Sequence, residues 1–108
     1  MKGTYLGEFE EVVLLAVAIR SGDAYGAVVT TEIEGQMGRS VNLGAVHSAL
    51  HRLEEKGLVS SRMGGATSER GGRRKRLYSV TVAGRTALQE VRQLRNQMWE
   101  AIPKTAWT

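Results

Sequence analysis

Residues 42–56 read NLGAVHSALHRLEEK. Leu43, Val46, Leu50 and Leu53 recur at spacings of three, four and three, which is a helical rather than a strand period. Asn42 stands just ahead of them as an N-cap, and Gly57 follows as a stop. The opposite face carries Gly44, Ser48, His51, Arg52 and Glu55, with Ala45 and His47 on its shoulders. Its first turns are small and polar, so little bulk keeps them away from another surface. A helix with one apolar face and a slim polar nose suits a DNA major groove. Alone, the same pattern also describes an ordinary amphipathic helix with a solvated outer face; the rest of the chain has to separate the two.

A length of 108 residues fits one small domain with one modest core. The absence of cysteine removes any disulfide framework or thiolate metal site and is compatible with a reducing compartment. The longest apolar run, Val12 to Ile19, is flanked by Glu10, Glu11 and Arg20 and is too short to span a bilayer. No signal peptide is visible, so a soluble, cytoplasmic protein without a membrane partner is expected. The net charge of +4 points to polyanions as partners, but the distribution of the cations matters more than the sum.

Upstream of the quoted stretch, Glu8, Glu10 and Glu11 suit the first turn of a helix, where carboxylates complement the macrodipole. That helix should run from about Gly7 to Arg20. Phe9, Val12, Val13, Ala16 and Val17 cover one side, and Leu14, Leu15 and Ala18 add apolar area elsewhere. A helix apolar nearly all round is buried on more than one side. Its second cover is either a partner subunit or simply the monomer core. Ser21, Gly22 and Asp23 break it. A second helix spans about Tyr25 to Met37, with Val29, Ile33 and Met37 as its stripe and Gly38 as its stop. Gly26, near its start, suits close packing against a neighbouring helix or backbone. Arg39, Ser40 and Val41 read as a short extended piece.

After Gly57 the period changes. Leu58 to Met63 reads as a strand, and Arg73 to Thr81 as its returning partner. Between them lies a glycine-rich tip. Arg62, Arg70, Arg73, Arg74, Lys75 and Arg76 load this hairpin with cations, opposed by Glu69. Charges protect exposed sheet edges, which explains one or two of them. Four consecutive cations suit phosphate contacts better. Thr81 caps a last helix that Pro103 ends. Leu88, Val91, Leu94, Met98 and Ile102 form its stripe. About 20 residues give roughly 30 Å of helix, long for so small a domain. Burying one leucine-sized side chain is worth about 1.5–3 kcal/mol, so this stripe, with Phe9 and Val13, is the candidate dimer interface. Packing on the monomer core alone is the other option.

The order helix, helix, strand, helix, strand, wing, strand, helix is that of a winged helix–turn–helix. The pieces LGEFEEVVLLAV (6–17), AYGAVVTTEIE (24–34), VNLGAVHSALHRLEEKGLV (41–59) and GGRRKRLYSVTVAGRTAL (71–88) resemble the PadR family of bacterial transcriptional regulators, in particular its short form. The resemblance covers nearly the whole chain up to about Glu100. It implies a mainly α fold with a small β hairpin: residues 1–81 as the DNA-binding domain, 82–102 as a dimerisation helix of the same unit, and 103–108 as a tail. It makes 42–56 the recognition helix and 58–81 the wing. The expected DNA contacts are Tyr25, Asn42, Gly44, Ala45, His47, Ser48, His51 and Arg52, with Arg73, Arg74, Lys75 and Arg76 on the backbone or minor groove. Many relatives carry threonine, leucine, tyrosine and proline where this chain has Ala45, Val46, His47 and Ser48. Their tyrosine faces DNA, so the operator sequence does not carry over.

The resemblance also implies a repressor acting as a homodimer on a pseudo-palindromic site. Some relatives bind flat aromatic compounds against a tryptophan of the last helix, and Trp99 occupies a similar place; a core aromatic is the simpler reading. His47 and His51 have the four-residue spacing that can hold zinc, but no third ligand accompanies them. The tip GGATSERGG lacks the lysine and serine/threonine pair of a phosphate loop. No nucleophile, base and orienting group stand together, so neither an enzyme nor a cofactor is expected. The competing class is a winged-helix module for protein–protein contact. Steep loss of duplex affinity with salt, and a difference between operator and scrambled DNA, would separate the two.

Overall fold

The computed structural model describes residues 5–64 and 75–108. The elements are α1 (Glu8–Ile19), α2 (Gly26–Met37), α3 (Leu43–Glu55), β1 (Val59–Met63), β2 (Arg76–Val80) and α4 (Val82–Ala101). A short 3-10 turn, Lys104–Trp107, follows in what the sequence suggests is only a tail. This is a winged helix–turn–helix. Arg70, Arg73, Arg74 and the glycine tip after Gly64 lie outside the described residues.

The helix boundaries follow from local chemistry. Asn42 accepts the Ala45 N–H at 3.0 Å and so caps α3. Thr81 does the same for α4 through the Gly84 N–H, and its own hydroxyl donates to the Gly57 carbonyl at 2.7 Å. Gly38 and Gly57 end α2 and α3 in left-handed backbone, with φ of 71° and 76°. Between α2 and α3, the Glu34 carboxylate accepts the Val41 N–H at 2.9 Å and holds the turn of the helix–turn–helix.

The core lies where α1, α2, α3 and the start of β1 meet. Leu14, Val17, Val29, Ile33, Val46, Leu50, Leu53 and Leu58 are fully buried there. Three expectations need correction. Val13 does not belong to a dimer interface: it is 0% exposed within the protomer, packed in this core. Leu43 leaves the apolar face it should share with Val46, because the first turn of α3 projects past the core and leaves it 45% exposed; Ala49 is buried instead. Residues 39–41 are not a strand. The hairpin's third partner is Tyr25, which bridges to Leu77, while the Tyr78 N–H donates to the Ala24 carbonyl at 3.0 Å.

β1 and β2 pair antiparallel from Val59 opposite Val80 to Met63 opposite Arg76. The Tyr25 bridge explains why Leu77 is buried although it alternates with the half-buried Tyr78 and Val80. α4 buries fully only Gly84. A Cβ on Gly84 would stand 2.1 Å from the Leu58 carbonyl oxygen, so the first turn of α4 sits directly on the chain entering β1. Beyond that turn, Ala87 and Leu88 touch the core, and Arg95 reaches Glu11 of α1 at 3.4 Å.

Candidate nucleic-acid interface

The first turns of α3 stand clear of the core. Gly44, Ala45, His47, Ser48 and His51 are exposed along one face, because Val46, Ala49, Leu50 and Leu53 take the buried positions of the same helix. A cleft of about 440 Å³ opens beside them. Tyr25, Gly26 and Ala27 of the α2 start line it, with Leu43 and His47 of α3 and Lys75, Arg76 and Tyr78 of the hairpin. The structure therefore brings together four expected contact residues, Tyr25, His47, Lys75 and Arg76, from three elements. The Tyr25 ring is half-buried and packs at the tip-side end of the strand pair, where a Cβ on Gly64 would lie 3.2 Å from its hydroxyl.

Arg76 is tethered. Its guanidinium donates to the Ser61 hydroxyl at 3.0 Å, which donates in turn to the Glu54 carboxylate at 2.7 Å. This chain ties the base of the wing to the last turns of α3. Asn42, exposed ahead of α3, has its side-chain oxygen engaged by the cap. His51 faces Glu55 at 3.3 Å along the same helix. Among the described residues no three histidine or acidic side chains gather as a metal site would require.

Arg52 is directed elsewhere. Its Nε donates to Glu10 Oε2 at 2.8 Å, and Lys56 Nζ reaches Glu10 Oε1 at 2.6 Å. Lys56 also donates to the Tyr5 carbonyl. Glu10 is buried and additionally accepts the Gly7 N–H at 3.1 Å. Burial alone would raise its pKa; the Lys56 and Arg52 hydrogen bonds outweigh it and hold the carboxyl down to about 2. Arg52 thus fastens α3 to α1 rather than standing free over the outer face. In the sequence Glu10 stands out only as one carboxylate of an acidic first turn; its two cationic partners lie more than 40 residues away.

At the other end of the molecule the stripe of α4 is open. Leu94 and Met98 are exposed, while Leu88, Val91 and Ile102 are half-buried, as is Phe9 on α1. Val91, Leu94 and Met98 form one wall of a groove of about 370 Å³ whose other side includes Tyr5 and Leu6. Trp99 is exposed and stacks on Trp107, with ring centroids 6.4 Å apart and planes at 30°. Only the return of the chain through the 3-10 turn makes that pairing, which spacing could not have shown.

A family model for the transcriptional regulator PadR-like family matches residues 14–90. No curated protein matches the chain in sequence. Solved structures similar to it include a PadR-like transcription factor from Bacteroides fragilis, at TM-score 0.72 and 21% identity, covering 85% of this chain and 84% of that one. A PadR family transcriptional regulator from Eggerthella lenta gives 0.70 and 21%, covering 94% and 88%. Bacillus subtilis PadR in complex with operator DNA gives 0.65 and 18%, covering 93% of this chain and 52% of that one. At such identities the structural likeness speaks for the fold.

Proposed function

Because the chain belongs to the PadR-like family of transcriptional regulators, a family of regulators and not of enzymes, we propose that it represses transcription as a cytoplasmic homodimer on double-stranded DNA. The observation that carries this reading is the meeting of three elements at one cleft: the start of α2, the exposed nose of α3 and the cationic start of β2 in the hairpin. The Bacillus subtilis relative is described with operator DNA. In this reading Gly44, Ala45, His47 and Ser48 approach base edges, where no bulky neighbour holds them off. Lys75 and Arg76, with Arg73 and Arg74 before them, neutralise phosphates. Two α3 helices spaced by about one DNA turn, roughly 34 Å, read a pseudo-palindromic site.

Selection of bound duplexes from a random pool at physiological salt tests binding, symmetry and half-site spacing together. With about three phosphate-neutralising cations per protomer, log K against log salt has a slope near −5. Exchanging Arg73, Arg74, Lys75 and Arg76 for glutamine weakens binding to every duplex and flattens that slope. Exchanging Ser48 or His47 instead changes the preferred sequence. A wing variant with undiminished affinity at physiological salt would remove the hairpin from the mechanism. Capture of proteins but no duplex would favour the protein-contact module.

The same reading includes a flat aromatic effector beside Trp99. An indole exposed next to Met98 and Ile102, with Arg95 beside them, gives such a ligand a stacking surface. Comparing fluorescence quenching of the parent with Trp99→Phe locates it: equal quenching by a candidate compound places the site elsewhere.

A further inference from the structure

Gly26 is the first residue of α2, and its backbone does not ask for glycine. The glycines held at positive φ among the described residues are Gly22, Gly38 and Gly57. At a helical position alanine is ordinarily the better choice. What occupies the place of a side chain is the His47 ring of the neighbouring helix. A Cβ built on Gly26 would stand 2.3 Å from His47 Nε2, 2.8 Å from its Cδ2 and 3.5 Å from its Cε1. The first two distances are far inside van der Waals contact. The edge of the imidazole therefore fills the space that any residue other than glycine would need.

His47 is exposed on its remaining sides, in the middle of the α3 face that the proposed function turns toward bases. Its ring is the largest side chain on the otherwise small nose of Gly44, Ala45 and Ser48. One edge of the ring lies in the slot that Gly26 leaves behind it. We propose that Gly26 is a specificity-determining positioning residue, and that the base preference of this protein belongs to Gly26 and His47 as a pair. The inference rests on the DNA-binding reading above. A side chain at position 26 drives the imidazole out of its slot and re-aims it along α3. The binding surface then changes without any change in the residues of α3.

The test compares the full-length parent, Gly26→Ala, His47→Ala and the double variant, by duplex selection, by affinity for the parent's selected duplex and by thermal unfolding. Gly26→Ala should lose about tenfold in affinity, the scale of one misread base pair, and should alter the same base positions as His47→Ala. In the His47→Ala background, where the slot is empty, Gly26→Ala should change affinity by less than about twofold. If Gly26→Ala lowers the melting temperature, the double variant should restore it. Unchanged affinity and sequence preference in Gly26→Ala overturn the inference. So does an equal loss in both backgrounds, or a double variant as unstable as Gly26→Ala alone. A parent that selects no duplex ends the DNA-binding reading and this role with it; a parent that selects one while Gly26→Ala behaves identically ends only the pairing.

Discussion

Glu10 carries a negative charge where 6% of the residue meets solvent, and three donors surround it. The carboxyl ordinarily titrates near 4.5 and is held at about 2 in the folded chain. A depressed carboxylate stabilises the fold fully above its unfolded pKa and ceases to as pH falls through the folded one. Stability from this group is therefore complete above about pH 5 and declines between there and pH 2. Glu10→Gln should cost about 2 kcal/mol at pH 7, since charge-assisted hydrogen bonds are lost while Arg52 and Lys56 keep access to water. Thermal unfolding would read this as a drop of roughly 10 °C for a domain of this size. The gap between parent and variant should narrow steadily from pH 5 to pH 2; a gap independent of pH would deny the ion pairs their role. An acidic first turn was legible in the sequence. That one of three glutamates turns inward to two cations was not, because nothing local distinguishes Glu10 from Glu8 or Glu11.

α4 is anchored most tightly at its first turn, and its side-chain contacts thin out toward Leu94 and Met98. The anchor is Gly84 against the Leu58 carbonyl, where a methyl group has no room. The obstacle is backbone, so it cannot swing aside as a side chain would. Gly84→Ala should lower the denaturant midpoint by the equivalent of about 1–3 kcal/mol, the usual range for overpacking, despite the better helix propensity of alanine. An unchanged or raised midpoint would mean that α4 lifts from β1 freely. At its far end the Trp99–Trp107 stack holds the 3-10 turn to the helix. Such a pair is worth about 0.5–1.5 kcal/mol, enough to order a short tail but not to stabilise the fold. Trp107→Ala should therefore shift the emission of Trp99 while leaving the melting temperature nearly unchanged. The limits of α1, α3 and α4 were legible to within a residue because caps and stops are local. The hairpin's third partner was not, since a single residue at the start of α2 carries no strand pattern.

The single chain leaves the far part of the α4 stripe without cover. Met98 is 62% exposed, and Leu94 and Trp99 are exposed beside it. A second copy burying these side chains would gain about 1.5–3 kcal/mol for each leucine-sized group. Met98→Glu should convert a dimer to a monomer in sedimentation at micromolar concentration. It should also steepen the concentration dependence of DNA binding, because each half-site contact then has to be made separately. A parent sedimenting as a monomer would remove the doubled geometry on which the half-site spacing depends.

Periodicity and capping specify their elements through contacts between near neighbours, so the helices, the hairpin and the small polar nose of α3 could be read from order alone. The same holds for the cationic run, which is a matter of composition. Tertiary packing decided where each face ends up. It drew Val13 into the protomer's core, turned Arg52 back onto Glu10, pushed Leu43 out to the rim of the cleft and seated His47 in the gap left by Gly26. Each of those outcomes depends on what stands opposite a side chain across the fold. That is a property of three dimensions and not of spacing along the chain.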